Sequence, residues 1–219
     1  MKTALVFGAT GQTGALLTDY LLAHPDYGTV KIIVRASTGK EHPKLKELVN
    51  PLRDPELIQN EIRGDVLFCC LGTTIRKAGS QEAFKRVDYE LPVSLAKIAK
   101  RNAIPCMVTI SSVGAIANSS NFYIRTKGQM EEDIAALGID KTVFVRPSLL
   151  LGKREETRFG ELIGKWIMTL FNPLFVGKLK RYKAIPSATV AKAMIQLAGD
   201  DEKGLRFVEN DELFVIGKL

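Results

Sequence analysis

Three residues in the middle of the chain have the types and spacing of an acid–base site. Tyr123 and Lys127 are four positions apart in a stretch that predicts a helix, so their side chains project from one face. Because the ordinary pKa of a phenol is about 10, a neighbouring ammonium that favours the phenolate makes it a better acid–base group near neutral pH. Ser112 lies just after a strand-like segment that precedes them, and its hydroxyl could hold a reacting oxygen. Taken alone, however, a Tyr and a Lys at this spacing are more typical of a solvated helix face.

The amino end of the chain predicts a strand, a glycine-rich turn and a helix. Residues 4–7 (ALVF) are typical of a buried parallel strand, and apolar residues recur at helical spacing over 12–23. Three glycines between these segments allow a tight turn, close approach of backbone amides to a pyrophosphate, and close packing of helix and strand. This context favours a dinucleotide site over an ordinary turn that binds nothing. With the helix N-terminus facing the anion, the predicted cofactor-binding residues are Gly8, Thr10, Gly11, Gln12, Thr13 and Gly14.

The end of the second predicted strand carries the residue expected to distinguish NADP from NAD. Residues 30–34 (VKIIV) predict a buried strand, and Arg35 follows it. An acidic residue at this place would bind the ribose 2′-hydroxyl of NAD, whereas an Arg accommodates the 2′-phosphate of NADP. No Asp or Glu occupies the position, so we predict NADP (NADPH) as the cofactor, with Lys40 as a further contact. The alternative is a surface Arg that only closes a strand.

Buried strands and helices alternate through the rest of the chain. Further strands are predicted at 65–71, 104–110 and 205–208, and further helices at 80–87, 91–101 and within 185–197. Prolines interrupt residues 41–64, where only a short strand at 45–49 and a short helix at 55–62 are predicted, so the third strand could be vestigial. The alternation predicts a single α/β domain over 1–219, a doubly wound parallel sheet of the Rossmann type.

The carboxyl ends of the predicted strands carry the remaining cofactor residues. Ligands of open α/β sheets lie outside this edge. The loop after the 65–71 strand should therefore border the cofactor, through Leu71, Gly72, Thr73 and Thr74. With a nicotinamide held there, Tyr123 would exchange a proton with a substrate alcohol or carbonyl while hydride passes to or from the ring. Lys127 could also bind the nicotinamide ribose.

These residues resemble the short-chain dehydrogenase/reductases, which share a glycine-rich first turn, an active-site Ser and a Tyr-x-x-x-Lys motif. The three-residue glycine spacing is the pattern of the extended and atypical branches. Four stretches look like the Tat-interacting-protein-type oxidoreductases and their bacterial relatives: CCLGTTIRKAGSQEAFKRVDYELP (69–92), ISSVGA (110–115), SSNFYIRTKGQMEE (119–132) and RPSLLLGKREETRFGE (146–161). The similarity spans nearly the whole chain.

The resemblance implies an NADP-binding Rossmann fold in which Ser112, Tyr123 and Lys127 match the catalytic positions. Residues Pro147, Ser148 and Leu149 match the turn that lies against the nicotinamide. The chain departs from the pattern in two places, because no Asn is positioned to complete the proton relay of typical members and the stretch 41–64 is short. We therefore predict an NADP-dependent oxidoreductase acting on a carbonyl or secondary alcohol. The alternative is a regulatory or scaffold protein that binds NADPH with little or no turnover, since fold alone does not establish chemistry.

Composition bounds the class of protein and its partners. The chain has 219 residues, 46% of them hydrophobic, which suffices for one full core, and no apolar run reaches the roughly 20 residues of a membrane span. Because the first residues predict a strand rather than a signal peptide, we expect a soluble cytoplasmic protein. Three cysteines without CxxC spacing are expected to be buried thiols in a reducing compartment. Two isolated histidines offer no metal site.

Most of the net charge of +7 lies in one segment. Residues 153–183 hold eight basic and three acidic residues, a bias towards an anionic ligand or surface, although a solvated basic face is an equal alternative. Residues 147–185 are expected to form a small substrate-side appendage, with a helix at 160–171 as a lid, as a membrane-surface or partner helix, or simply packed on the sheet. A small-molecule substrate is the expected partner. Nucleic acid is not expected, because charge alone supports it, and the oligomeric state stays open.

Overall fold

The computed structural model describes residues 1–152 and 181–218, in which strands and helices alternate. The strands are β1 (Lys2–Phe7), β2 (Tyr27–Val34), β3 (Leu45–Val49), β4 (Val66–Cys69), β5 (Cys106–Ile110), β6 (Lys141–Arg146), β7 (Leu150–Leu151), β8 (Ile185–Pro186) and β9 (Gly204–Glu209). The helices are α1 (Gln12–Ala23), α2 (Ile75–Ala78), α3 (Gln81–Lys85), α4 (Leu91–Arg101), α5 (Phe122–Ala135), α6 (Ser187–Gly199) and α7 (Asn210–Ile216). A 3-10 helix covers Pro55–Glu61 and a π-helical turn covers Arg86–Glu90.

Seven of these strands form one parallel sheet in the order β3-β2-β1-β4-β5-β6-β9. The strand order reverses between β1 and β4, and the loops after these two strands therefore diverge and leave a crevice at the carboxyl edge. The predicted doubly wound parallel sheet in a single domain is confirmed.

Two apolar layers, one on each face of the sheet, form the core. Side chains alternate across a strand. In β1, Ala4 and Val6 therefore pack into the layer covered by α1 and α6, whereas Leu5 and Phe7 pack into the layer covered by α4 and α5. All four side chains are fully buried, which is why this strand reads as a continuous apolar run.

The structure differs from the sequence-based prediction mainly at element boundaries. Strand β2 begins at Tyr27, three residues earlier than predicted, because Tyr27 is buried and continues the pairing with β1. The short strand at 45–49 is a full edge strand rather than a vestige, since all five of its residues pair with β2. Strand β4 ends at Cys69, and the residues after it form the loop at the carboxyl edge.

The appendage predicted at 147–185 is described only at its two ends. There, β7 and β8 pair in parallel as a separate two-stranded sheet, and the Ile185 amide donates to the Leu149 carbonyl at 2.9 Å. The predicted helix at 160–171 and most of the basic segment lie outside the described residues. Within 1–152 and 181–218, no helix is both long and apolar enough to span a bilayer.

Candidate functional site

Glycine is required at two positions of the turn between β1 and α1. Gly8 has a φ of +82°, and a Cβ there would lie 2.5 Å from the Cys70 carbonyl oxygen on the neighbouring strand end. A Cβ at Gly14 would lie 2.1 Å from the Gly8 carbonyl oxygen. The Gly11 amide donates to that same carbonyl at 2.9 Å. The turn is therefore as tight as the sequence predicts, and helix α1 begins directly against the end of β1.

The N-terminus of α1 is left open to a ligand. No side chain of residues 1–152 or 181–218 caps it, and no acidic residue lies in its first turn. By contrast, the Asn121 side chain caps α5 by accepting from the Ile124 amide at 3.1 Å. The Gln12 Nε2 and Thr13 Oγ1 atoms are buried and have no hydrogen-bond partner among the described residues. An uncapped helix N-terminus with unpaired donors beside it suits a phosphate group.

Arg35 lies exposed at the end of β2, on the edge strand side of the crevice. The loop that follows it is attached to β3, because the Thr38 amide donates to the Glu47 carboxylate at 3.0 Å. Hydrogen bonds from Ser37 and Thr38 lower the pKa of Glu47 below its ordinary value. The Glu47 carboxylate is therefore bound by the loop between β2 and β3. The Arg35 side chain lies exposed at the end of β2.

Lys40, expected from the sequence as a further phosphate contact, is paired elsewhere. Its ammonium forms an ion pair with Asp19 of α1, and both side chains are about half exposed. A surface pair of this kind contributes little stability and exchanges readily with solvent. Arg35 is therefore the better-placed candidate for a 2′-phosphate.

Helix α5 carries Tyr123 and Lys127 on one face, directed at the end of β5. The Tyr123 ring is half-buried and packs on Phe84, with ring centroids 5.6 Å apart. Lys127 is 3% exposed, and its Nζ lies 3.4 Å from the carbonyl oxygen of Ile110, the last residue of β5. Gly128 allows this approach, because a Cβ there would lie 2.2 Å from the Ala117 amide nitrogen. Tyr123 and Lys127 are thus brought to the carboxyl edge of the sheet.

Asp88, which the sequence analysis did not single out, is the ion-pair partner of Lys127. Its Oδ1 lies 2.8 Å from the Lys127 Nζ, and both side chains are almost completely buried. Burial by itself lowers the pKa of Lys127, but the carboxylate of Asp88 and the phenol of Tyr123 outweigh it, so the pKa is raised above its ordinary value. Lys127 therefore carries its charge at neutral pH.

The loop of Ser112 lies against the turn at residues 147–149. Ser112 is 8% exposed, and its hydroxyl donates a long hydrogen bond of 3.4 Å to the Val113 carbonyl, which leaves it weakly held. The Val113 amide donates to the Pro147 carbonyl at 3.1 Å. Ser112 and the residues expected beside the nicotinamide are thus joined by the backbone.

A buried Asn holds the turn Pro147, Ser148 and Leu149. The Asn210 Oδ1 accepts from the Ser148 amide at 2.9 Å, and its Nδ2 donates to the Lys183 carbonyl at 2.7 Å. The Ser148 hydroxyl donates to the same carbonyl. The turn is therefore anchored to helix α7 and to the chain that enters β8, while Leu149 is left largely exposed.

Arg146, the last residue of β6, anchors α5 to the sheet. Its guanidinium contacts Glu131 of α5 in a bidentate fashion, at 2.9 and 2.6 Å, and Glu209 of β9 at 2.9 Å. It also stacks on Phe207, 4.4 Å from the ring centroid. Since Glu131 is four residues beyond Lys127, this network fixes the same helix face that carries Tyr123 and Lys127.

All of the predicted site residues therefore lie at one edge of the sheet, around the crevice between β1 and β4. A family whose description is NAD(P)H-binding matches residues 8–201. The chain belongs to this NAD(P)H-binding family.

Relatives that align with nearly the whole chain support the same family assignment. The chain is 33% identical to Protein FMP52, mitochondrial, of Candida albicans over 98% of this chain and 94% of that protein. It is 31% identical to Protein HTATIP2 of Rattus norvegicus over 99% and 90%. These relatives confirm that the chain is an atypical short-chain dehydrogenase/reductase.

Solved structures share the fold of this NAD(P)H-binding protein. The Bordetella bronchiseptica enzyme WbmH in complex with NAD+ superimposes with a TM-score of 0.71 over 95% of this chain and 75% of that one, at 16% identity. A short-chain dehydrogenase/reductase family oxidoreductase from Burkholderia thailandensis gives 0.67 over 97% and 92%, at 19% identity. The NAD(P)-binding, oxidoreductase-like fold follows from the family match and these neighbours together.

The expected cytoplasmic location is wrong in the light of these relatives. The FMP52 proteins of Candida albicans, Eremothecium gossypii and Debaryomyces hansenii are all named as mitochondrial. The expectation rested partly on free cysteines, which do not identify a compartment. Burial raises the pKa of Cys69 and of Cys106 to about 11, so these thiols stay neutral and unreactive near neutral pH.

The open end of α1 fits the dinucleotide that defines the NAD(P)H-binding family. The first-turn amides with the Thr13 hydroxyl could hold the pyrophosphate, and Lys127, which has three N–H donors, could reach a ribose. No three His, Cys, Asp or Glu side chains of 1–152 and 181–218 are grouped as a metal site would require.

Sequence reasoning missed Asp88 and Asn210, both fully or almost fully buried. Asp88 left a signal, because it lies four residues after the buried Phe84 and so falls on the apolar face of a helical stretch. A carboxylate on such a face needs a partner. Asn210 left none, since its role depends on chain segments that approach it only in the folded protein.

Proposed function

We propose that the protein is an NADP-dependent oxidoreductase that transfers hydride to or from a carbonyl or secondary alcohol, with Tyr123 as the acid–base residue. The observation that carries this proposal is the buried Lys127 ammonium on the same helix face as the Tyr123 phenol, at the end of β5. Burying a charge costs free energy even when it is paired, and buried charged groups with shifted pKa values are concentrated at functional sites.

Each residue of the proposed site has a defined task. The Ser112 hydroxyl, weakly held at 3.4 Å, is free to donate to the substrate oxygen. Tyr123 gives its proton to that oxygen during reduction and takes it back during oxidation. Lys127 stabilises the phenolate that remains and donates to the nicotinamide ribose. Bound NADPH supplies the hydride.

The binding residues are assigned by their place around the crevice. The pyrophosphate would be held by the turn of Gly8, Thr10, Gly11, Gln12, Thr13 and Gly14. Arg35 would hold the 2′-phosphate, and the central part of the dinucleotide would be held by the loop of Leu71, Gly72, Thr73 and Thr74. The nicotinamide would be held by Pro147, Ser148 and Leu149. The exposed position of Arg35 and the engagement of Glu47 by Thr38 support NADP over NAD.

Turnover is tested with a panel of aldehydes and ketones, by following NADPH absorbance. We expect Tyr123→Phe to lower kcat by about 100-fold or more while leaving NADPH affinity unchanged, because only proton transfer is lost. Tyr20→Phe, which removes a hydroxyl from α1, is the matched control. Unaltered kcat in Tyr123→Phe contradicts the proposal. NADPH binding without turnover of any carbonyl favours instead a regulatory or scaffold protein.

Cofactor selection is tested by titrating NADPH and NADH against nicotinamide fluorescence. We expect Arg35→Asp to weaken NADPH binding by about tenfold or more, because a charge-assisted contact becomes a repulsion. NADH binding should change little. Arg63→Asp carries the same charge change just before β4, at the opposite edge of the sheet, and should affect neither. Equal losses for NADPH and NADH would show that Arg35 does not contact the phosphate.

A further inference from the structure

The carboxylate of Asp88 touches both halves of the candidate site. Asp88 is 2% exposed and lies in the π-helical turn Arg86–Glu90 between α3 and α4. A π-helical turn contains one residue more than an α-turn, which redirects a side chain, and such turns are frequent at functional sites. Here the turn packs against α5, and Asp88 faces Lys127.

The two carboxylate oxygens of Asp88 have different partners. Oδ1 lies 2.8 Å from the Lys127 Nζ. Oδ2 accepts from the Thr73 amide at 2.8 Å, and a Cβ at Gly72 would lie 3.6 Å from Oδ1. The carboxylate thus lies between α5, which carries Tyr123 and Lys127, and the loop after β4 that faces the crevice.

The other ionisable groups beside Lys127 cannot replace this carboxylate. They are the phenol of Tyr123 and the thiol of Cys69 at the end of β4. Burial raises the pKa of Cys69 to about 11, so the thiol is neutral near neutral pH. Within the described part of the chain, Asp88 is therefore the negative charge that balances Lys127 there.

We propose that Asp88 is a positioning residue that links Lys127 to the cofactor-facing loop Leu71–Thr74. One oxygen orients the ammonium towards Tyr123, and the other holds the loop through Thr73. Cofactor binding at the loop and proton transfer at Tyr123 thereby depend on one buried carboxylate. This inference rests on the proposed function for its catalytic half, whereas its loop half requires only that the dinucleotide binds.

The substitution Asp88→Asn separates charge from shape. Both partners of Asp88 are donors, and an amide offers only one acceptor oxygen, so Asn must turn its NH2 group towards either Lys127 or Thr73. Lys127 is left buried without a counter-ion, which lowers its pKa. Any positive charge that remains is no longer balanced and favours the phenolate of Tyr123. Both effects deplete the active form, in which the Tyr123 phenol and the Lys127 ammonium are both protonated.

The first readout is the pH dependence of kcat for carbonyl reduction. We expect Asp88→Asn to move the basic limb of this profile to lower pH by one unit or more. NADPH affinity, measured by nicotinamide fluorescence, should fall at least fivefold, because one amide oxygen cannot hold both the Lys127 ammonium and the Thr73 amide of the Leu71–Thr74 loop. Asp133→Asn is the matched control. Asp133 is an aspartate of α5 that accepts from the Tyr89 hydroxyl near the surface, and neither readout should change in this variant.

The second readout is a double-mutant cycle with Lys127→Met. Because Asp88 acts on catalysis through Lys127, kcat of Asp88→Asn/Lys127→Met should equal that of Lys127→Met within twofold. The double variant contains no unpaired buried charge, so it also serves if Asp88→Asn alone does not fold. Multiplying losses in kcat would show that Asp88 acts independently of Lys127 and would overturn the proposal.

The proposed function and this inference fail in different ways. A basic limb that does not move, together with unchanged NADPH affinity in Asp88→Asn, overturns the role of Asp88 even if the wild-type protein reduces carbonyls. Absence of turnover in the wild-type protein contradicts the proposed function. In that case weaker NADPH binding by Asp88→Asn supports the link to the loop, and unchanged binding overturns it.

Discussion

Two ion pairs lie one turn apart on helix α5 and differ in what they leave unsatisfied. At Glu131, the guanidinium of Arg146 is surrounded by two carboxylates, the Ala115 carbonyl and the Phe207 ring. At Lys127, the described acceptors are one Asp88 oxygen at 2.8 Å and a distant carbonyl at 3.4 Å, fewer than the three N–H donors of an ammonium. The guanidinium uses four of its five N–H donors in these contacts and anchors the helix, whereas the ammonium retains a donor for a ligand.

The comparison suggests how to separate a structural buried charge from a functional one. A charge that spends most of its hydrogen bonds on other elements of the protein has a structural role, and its loss should lower the free energy of unfolding. Loss of a charge that keeps a free hydrogen-bond donor at the edge of a crevice should change ligand affinity or the pH dependence of kcat. Burial alone does not make the distinction, since Glu131 and Lys127 are each 3% exposed.

The largest effect is expected from Arg146→Met. Removing the guanidinium leaves Glu131 buried and unpaired, so the free energy of unfolding should fall by about 3 kcal/mol or more. Urea denaturation followed by circular dichroism measures the loss. The basic limb of the kcat profile should stay in place, in contrast to Asp88→Asn. A shift of that limb in Arg146→Met would remove the distinction between the two pairs.

A smaller effect is expected from alkaline pH on the Lys127 pair. Because the pKa of Lys127 is raised in the folded protein, the stabilisation is fully present below the ordinary value of 10.5 and is lost as pH rises through the raised folded value. Relative to Asp88→Asn/Lys127→Met, the wild-type protein should lose up to about 1.4 kcal/mol of unfolding free energy per pH unit in that range. Urea titrations at pH 8, 10 and 11.5 measure the difference. A constant difference would contradict the assigned shift.

The smallest effect is expected from Arg206→Met in β9. Arg206 pairs with Glu202 at 2.7 Å and Asp200 at 3.4 Å, but all three side chains are partly exposed. Water can replace the lost contacts, so the free energy of unfolding should change by less than about 1 kcal/mol. The same urea assay compares it directly with Arg146→Met. If Arg206→Met lowered the free energy of unfolding as much as Arg146→Met, burial of the carboxylate would not be what determines the loss of stability.

Local sequence patterns were sufficient to predict the glycine turn, helix α1 and the face of α5 that carries Tyr123 and Lys127. The turn at Gly8, Gly11 and Gly14 was predictable because a tight strand-to-helix connection requires glycine at particular positions, and helix α1 has the bounds expected from its apolar spacing. The placement of Tyr123 and Lys127 on one face of α5 followed from the helical repeat. The start of β2 and the full pairing of β3 did not follow, because both depend on the neighbouring strand rather than on their own residues.

By itself, the amino-acid sequence determined the alternation that gives the doubly wound sheet, the glycine turn after β1 and the shared helix face of Tyr123 and Lys127, because each is encoded by residues close together in the chain. Only the tertiary structure decided what balances Lys127, what holds the turn at 147–149, and which carboxylates surround Arg146. Asp88, Asn210 and Glu209 are far along the chain from their partners. Burial makes each of these contacts necessary, but nothing local in the chain identifies the partner.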